Sequence, residues 1–143
     1  MRTPLATLTF FTFLLMACSQ EPEAAVEPTE GERLAAPADV AKGRRLYRVC
    51  AVCHDAEPKD GHRVGPNLWG IIGAKAARHP DFVYSGAMKQ SGVVWSKEAL
   101  DAYITEPQGF IQGNRMAYAG MPSPADRRDL IAYLATLHDP TTD

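Results

Sequence analysis

Apolar residues fall along the chain in three regimes. From Leu5 to Met16 every position is apolar or threonine; from Ser19 to Pro37 glutamate, proline and alanine mix without a period; from Ala38 onward apolar positions recur at helical spacing between Gly- and Pro-rich stretches. Three helices can be read in the last regime. The first starts at an Asp39 cap, spaces Val40, Gly43, Leu46, Tyr47 and Cys50 helically, and runs into a cysteine motif. A second starts at Ser96, sets Leu100, Tyr103 and Ile104 on one face, and stops before Pro107. The third has Ser123 as cap, Pro124 in the first turn, Asp126 at the positive end of the dipole, and Leu130, Ile131, Tyr133, Leu134 and Leu137 as its buried stripe. No strand-like alternation is sustained and no repeat appears. The pattern predicts an all-α fold, about three main helices plus long loops, and loops of that length usually wrap something.

The first two regimes lie outside that fold. Arg2 followed by the Leu5–Met16 run has the plan of a secretory signal, too short for the roughly 20 apolar residues of a spanning helix. Leu15-Met16-Ala17-Cys18 resembles a bacterial lipobox, which predicts a signal peptide over residues 1–17 and an acylated Cys18 as first mature residue. Residues 18–37, with Glu21, Glu23, Glu27, Glu30 and Glu32 against Arg33, are expected to form a flexible acidic tether. It would average roughly 25 Å between its ends and reach about 60 Å stretched. The domain is then residues 38–143, periplasmic and held to a membrane by the N-terminal lipid. Of 15 basic and 17 acidic residues, Arg2, Arg33 and the five linker glutamates precede Ala38, so the domain is close to neutral. With no basic tract, nucleic-acid binding is set aside.

Cys50-Ala51-Val52-Cys53-His54 carries the chemistry. Two thiols at i and i+3 lie on one side of a helical turn and can add to the two vinyl groups of a haem, with the next imidazole facing the iron; this is the c-type attachment signature. Half of a zinc site is a weaker reading, because His62, His79 and His138 are scattered singly. A thioredoxin-like pair would need a βαβ frame. Met116, Met121 and Met88 are candidates for the second axial ligand. A His/Met pair closes both axial positions and leaves only electron exchange.

From about Asp39 to His138 the chain resembles the class I cytochromes c of the mitochondrial and bacterial c2-like type. The resemblance is carried by the cysteine motif, Gly65-Pro66-Asn67-Leu68, Trp95, Tyr103, Met116-Ala117-Tyr118-Ala119-Gly120 and Asp129-Leu130-Ile131-Ala132-Tyr133-Leu134. It implies a small fold round one covalent haem c, attached through Cys50 and Cys53, with His54 and Met116 as axial ligands. It implies also that the Pro66 carbonyl accepts from the His54 ring, that Tyr103 stands beside the methionine sulfur, and that Tyr84, Trp95 and Asn114 surround the propionates. Gly43 and Tyr47 would pack on Leu130 and Tyr133, and His62 would pin two loops. Ala74 replaces a common arginine and Met88 a polar residue; Gln108 and Gly109 replace docking lysines, and Val49 and Ala51 add no charge. The function implied is single-electron transport between redox-protein partners of a respiratory or photosynthetic complex, not catalysis. An open iron site serving peroxide reduction or gas sensing, and a fixed subunit of a larger oxidase or dehydrogenase, are the alternatives.

Overall fold

The structure, a computed structural model, describes residues 27–139. The expectations for the signal segment, for Cys18 and for the start of the tether lie outside the described residues. Helices α1 (Glu30–Ala35), α2 (Val40–Leu46), α3 (Gly86–Gln90), α4 (Lys97–Thr105), α5 (Pro107–Phe110) and α6 (Pro124–Leu134) are joined by loops, and a 3₁₀ turn over Tyr47–Val52 continues α2. Among the described residues the only extended pairing is an isolated bridge between Lys75 and Val94, and no helix is long and apolar enough to cross a membrane.

Side-chain caps set the starts of the three expected helices. Asp39 accepts from the Lys42 N–H, Ser96 from Ala99 and Ser123 from Asp126, each taking up one donor that the first turn cannot satisfy internally. The first helix differs from expectation in its second half. At Tyr47 it tightens to three residues per turn, so that Cys50 and Cys53 eclipse on one side, and the Cys53 and His54 N–H groups both reach the Cys50 carbonyl, at 3.0 and 2.9 Å. Helix α4 stops at Thr105, and Pro107, which needs no N–H partner at a first helical position, opens the separate turn of α5.

Helices α2 and α6 cross closely. A Cβ at Gly43 would lie 2.0 Å from the Asp129 carbonyl oxygen and 2.9 Å from Tyr133 Cβ, so only glycine admits this approach. Beside the crossing Tyr47 meets Tyr133, rings 5.4 Å apart. Leu130, Ile131 and Leu134 of α6 join Leu100, Tyr103 and Ile104 of α4 in one apolar core with Tyr47, Ile71, Trp95, Ile111, Met121 and Leu137.

The stretch read from sequence as tether is ordered at its end. Thr29 and Glu32 form a reciprocal capping box on α1, and the helix docks on the start of α6. The Glu30 carboxylate accepts from the Ser123 hydroxyl at 2.8 Å and the Ala125 N–H at 3.0 Å. Arg33 donates to Asp129 at 2.9 Å and meets Asp126 at 2.7 Å, while Arg128 donates to the carbonyls of Arg33, Leu34 and Ala36. No apolar burial is needed, because charge and main-chain hydrogen bonds hold the helix. None of its residues is buried.

Candidate haem site

The cysteine motif ends on His54, whose ring is fixed from two sides. Its Nδ1–H donates to the Pro66 carbonyl at 2.7 Å, and a Cβ on Gly65 would lie 2.3 Å from Cε1 and 2.6 Å from Nδ1, so the ring rests on bare glycine backbone. The chain reaches that position because Gly65 N–H donates to the Cys53 carbonyl at 2.7 Å and Leu68 N–H to the Asp55 carbonyl at 2.8 Å. The Tyr47 hydroxyl donates to the His54 carbonyl at 2.9 Å. Burial lowers the His54 pKa, against the opposing pull of the Pro66 carbonyl, and the ring stays neutral. With Nδ1 carrying the proton, the lone pair is on Nε2.

Cys50 and Cys53 form no disulfide with each other. Burial pushes the Cys50 thiol up to about 11. The pair sits on a helical turn with no βαβ frame among the described residues, which removes the thioredoxin-like reading. Cys50 and Met116, distant in sequence, pack against the same apolar core. Within it Trp95 and Tyr103 lie with rings 4.9 Å apart, and burial raises the Tyr103 pKa to about 12. The Trp95 main chain pairs with Ala74 and Gly73.

Met116 is held by its own loop. Asn114 donates to the Pro107 and Ile111 carbonyls at 2.7 and 2.9 Å, and its Oδ1 accepts from the Met116 N–H at 2.8 Å. Gln108 Nε2 reaches Asn114 Oδ1 and the Met116 carbonyl at 3.2 Å each. Asn114, expected near a propionate, thus has both amide hydrogens committed to closing this loop. Gln108, read from sequence only as a lost docking lysine, shares that work. Gly120, at φ +106, lets the loop return against the Thr105 carbonyl, which a Cβ would approach to 2.1 Å. Met121 is buried in the core with its N–H on the Ile104 carbonyl, and Arg127 clamps the Met121 and Pro122 carbonyls while paired with Asp101. Met88 lies half-buried in α3.

Tyr84 sits half-buried against Phe82, rings 4.8 Å apart. His62 joins the Asn67 region to Asp81, as a loop pin would. His62, His79 and Asp81 bring one donor atom each within 4.8 Å of one another. However, the His62 Nδ1 lone pair takes the Asn67 N–H and its proton is on Nε2, so this trio holds a peptide and is not preformed for a cation. Arg78, which no sequence signal marks, donates to the Trp69 and Gly70 carbonyls and fastens the loop that carries His79.

Paired thiols on one side of a turn, a neutral imidazole with a free Nε2 and a half-buried methionine at the margin of the same core suit a covalent haem, and define an all-α domain of the c type. A family model described as cytochrome c matches residues 40–138, and the chain belongs to that family, class I, whose members carry one covalent haem c as electron carriers and not as enzymes. Cytochrome c2 of Rhodomicrobium vannielii is 40% identical over 103 residues, covering 72% of this chain and 82% of the relative. Cytochrome c of Chlamydomonas reinhardtii is 43% identical over 101 residues, 69% of this chain and 90% of the relative. Among solved structures, cytochrome cH from Methylobacterium extorquens superposes with a TM-score of 0.66 at 33% identity, covering 69% of this chain and 99% of that one.

Proposed function

We propose that the protein is a lipid-tethered periplasmic carrier of single electrons, its haem iron held by His54 Nε2 and Met116 sulfur. The observation that carries this reading is the His54–Pro66 hydrogen bond at 2.7 Å, which commits Nδ1 and leaves Nε2 as the ligand atom directly after the two thiols. Haem c supplies the one-electron couple. His54 donates electron density and is kept from rotating by Pro66 and Gly65; Trp95, Tyr103 and the surrounding core exclude water; the Asn114 and Gln108 clasp keeps the Met116 main chain in place. With His54 and Met116 both holding the iron, oxygen and peroxide would find no open site.

The redox partner is proposed to dock on a largely apolar face. Val49 and Val52 beside the attachment cysteines, and Val64 next to Gly65, are 57, 72 and 80% exposed. Arg63 donates to the Ala51 carbonyl and lies across that segment, and Arg48 is an exposed basic neighbour of Val49.

The deciding experiment is the optical spectrum of the purified ferric protein, followed by reduction and carbon monoxide. A weak long-wavelength sulfur-to-iron band and no response to carbon monoxide are expected. A missing band with carbon monoxide binding would replace the carrier with an open-site peroxidase or sensor. The tether is tested separately by mass spectrometry of the mature N-terminus, where an acylated Cys18 is expected and an unmodified start elsewhere removes the lipid anchor.

A further inference from the structure

The peptide unit between Pro66 and Asn67 is hydrogen-bonded at both ends. Its carbonyl accepts the His54 Nδ1–H at 2.7 Å, and its N–H is donated to His62 Nδ1 at 3.0 Å. Because His62 Nδ1 accepts, the proton of the neutral ring is on Nε2, 3.1 Å from Asp81 Oδ1. One directed chain of donors and acceptors therefore runs from the haem-motif histidine through a single amide and a second histidine to a carboxylate. It also runs from core to solvent: the His62 side chain is 15% exposed and that of Asp81 76%.

The surroundings hold this chain rigid. Asn67 is buried, its side-chain amide donates to the Glu57 and Asp60 carbonyls at 2.8 and 2.9 Å, and its Oδ1 accepts from Trp69 N–H at 2.7 Å. His79 Nε2 lies 3.1 Å from the Asn67 carbonyl and its ring meets His62 edge-on at 4.6 Å; Phe82 flanks His62 at 5.3 Å. Arg78, His79 and Asp60 are the other charged or titratable groups lining the recess around His62.

We propose that Asp81 is a positioning residue for electron transfer, acting through His62 and the Pro66–Asn67 amide on the electron-donating strength of His54 and so on the reduction potential. This rests on His54 being the iron ligand. The sign follows from the direction of the chain. The carboxylate draws the His62 Nε2–H and makes Nδ1 a better acceptor; that pulls on the Asn67 N–H, polarises the amide and puts more negative charge on the Pro66 oxygen. The Pro66 oxygen in turn draws the His54 Nδ1–H and gives the ring imidazolate character, which favours ferric over ferrous iron. Asp81 therefore holds the potential down.

The test uses the haem-loaded protein. Asp81→Asn keeps an acceptor at an exposed position and removes only the charge. Its midpoint potential is expected to rise, and the His54 Nδ1–H proton resonance of the ferrous protein to move upfield, with the sulfur-to-iron band retained. His62→Phe removes both ring nitrogens and interrupts the chain, so in that background the same substitution should leave the potential unmoved. A D81N potential equal to wild type, or an equal rise persisting beside H62F, overturns the proposal, the second because it is the mark of charge acting through space. Should H62F fail to load haem, the D81N resonance decides alone: an unmoved His54 proton overturns the proposal. Failure of the ligation reading is distinguishable. Without it, the His54 ring protons of the ferric protein lack paramagnetic shifts; with ligation intact but no relay, they carry those shifts and ignore Asp81.

Discussion

At Gly65 the missing side chain is what the site uses. A methyl there would lie within the van der Waals envelope of the His54 ring, so Gly65→Ala is expected to push the imidazole off the Pro66 carbonyl. The cost should be about 1–3 kcal/mol in denaturant unfolding of the haem-loaded protein, with a raised midpoint potential as the His54 hydrogen bond is lost. Asn114→Ala takes away the acceptor of the Met116 N–H and the donors to two carbonyls. Its expected signature is carbon monoxide binding to the reduced protein, which the parent resists, because a loosened loop lets the sulfur leave the iron. The two positions also differ in how they could be read. Cys50, Cys53 and His54 are legible from sequence because covalent attachment to two vinyl groups fixes their spacing. Asn114 and Gln108 act on main-chain carbonyls whose positions depend on how a loop folds back, and nothing in their local sequence states that.

Among the elements, caps were legible and docking was not. Asp39, Ser96 and Ser123 act within one turn of themselves, so the chain announces the helices they open. Helix α1 has no apolar stripe to betray it, and its partners lie more than 90 residues away in sequence. One signal was available: Thr29-Glu30-Gly31-Glu32 has the spacing of a capping box. The helix rests on carboxylates. Glu30 is held below the usual range by the Ala125 N–H and the Ser123 hydroxyl; for Asp129 burial acts the other way and is outweighed by Arg128, the Asp39 N–H and Arg33. Groups with lowered folded pKa stabilise above their ordinary values and lose that contribution as pH falls through the folded ones, so α1 should stay docked at neutral pH and undock only in acid below the ordinary carboxylate range. Amide exchange at Ala125 and Asp39 across that range checks it; protection that survives acid refutes it. Asp129→Ala, which leaves Arg33 and Arg128 facing a vacated buried site, is expected to cost about 3–5 kcal/mol of global stability.

Over the molecule as a whole, the near balance of basic and acidic residues and the valine-lined face beside the cysteines argue for encounter without long-range steering. Electron-transfer rates to the natural partner should therefore change little between low and physiological salt, and a steep fall with ionic strength would show a charged docking surface instead. Docking of α1 bears on the same encounter. A lipid on Cys18 would be joined to the folded body by residues 19–29, eleven in place of the nineteen that a tether ending at Pro37 would give. Because the effective concentration of a tethered module falls roughly as the −3/2 power of linker length, that shortening would about double the local concentration of the haem face at a redox partner in the same membrane, were the proposed anchor present. With the proposed lipid on Cys18, the six residues of α1 would act as a range setting, trading distance travelled for frequency of contact.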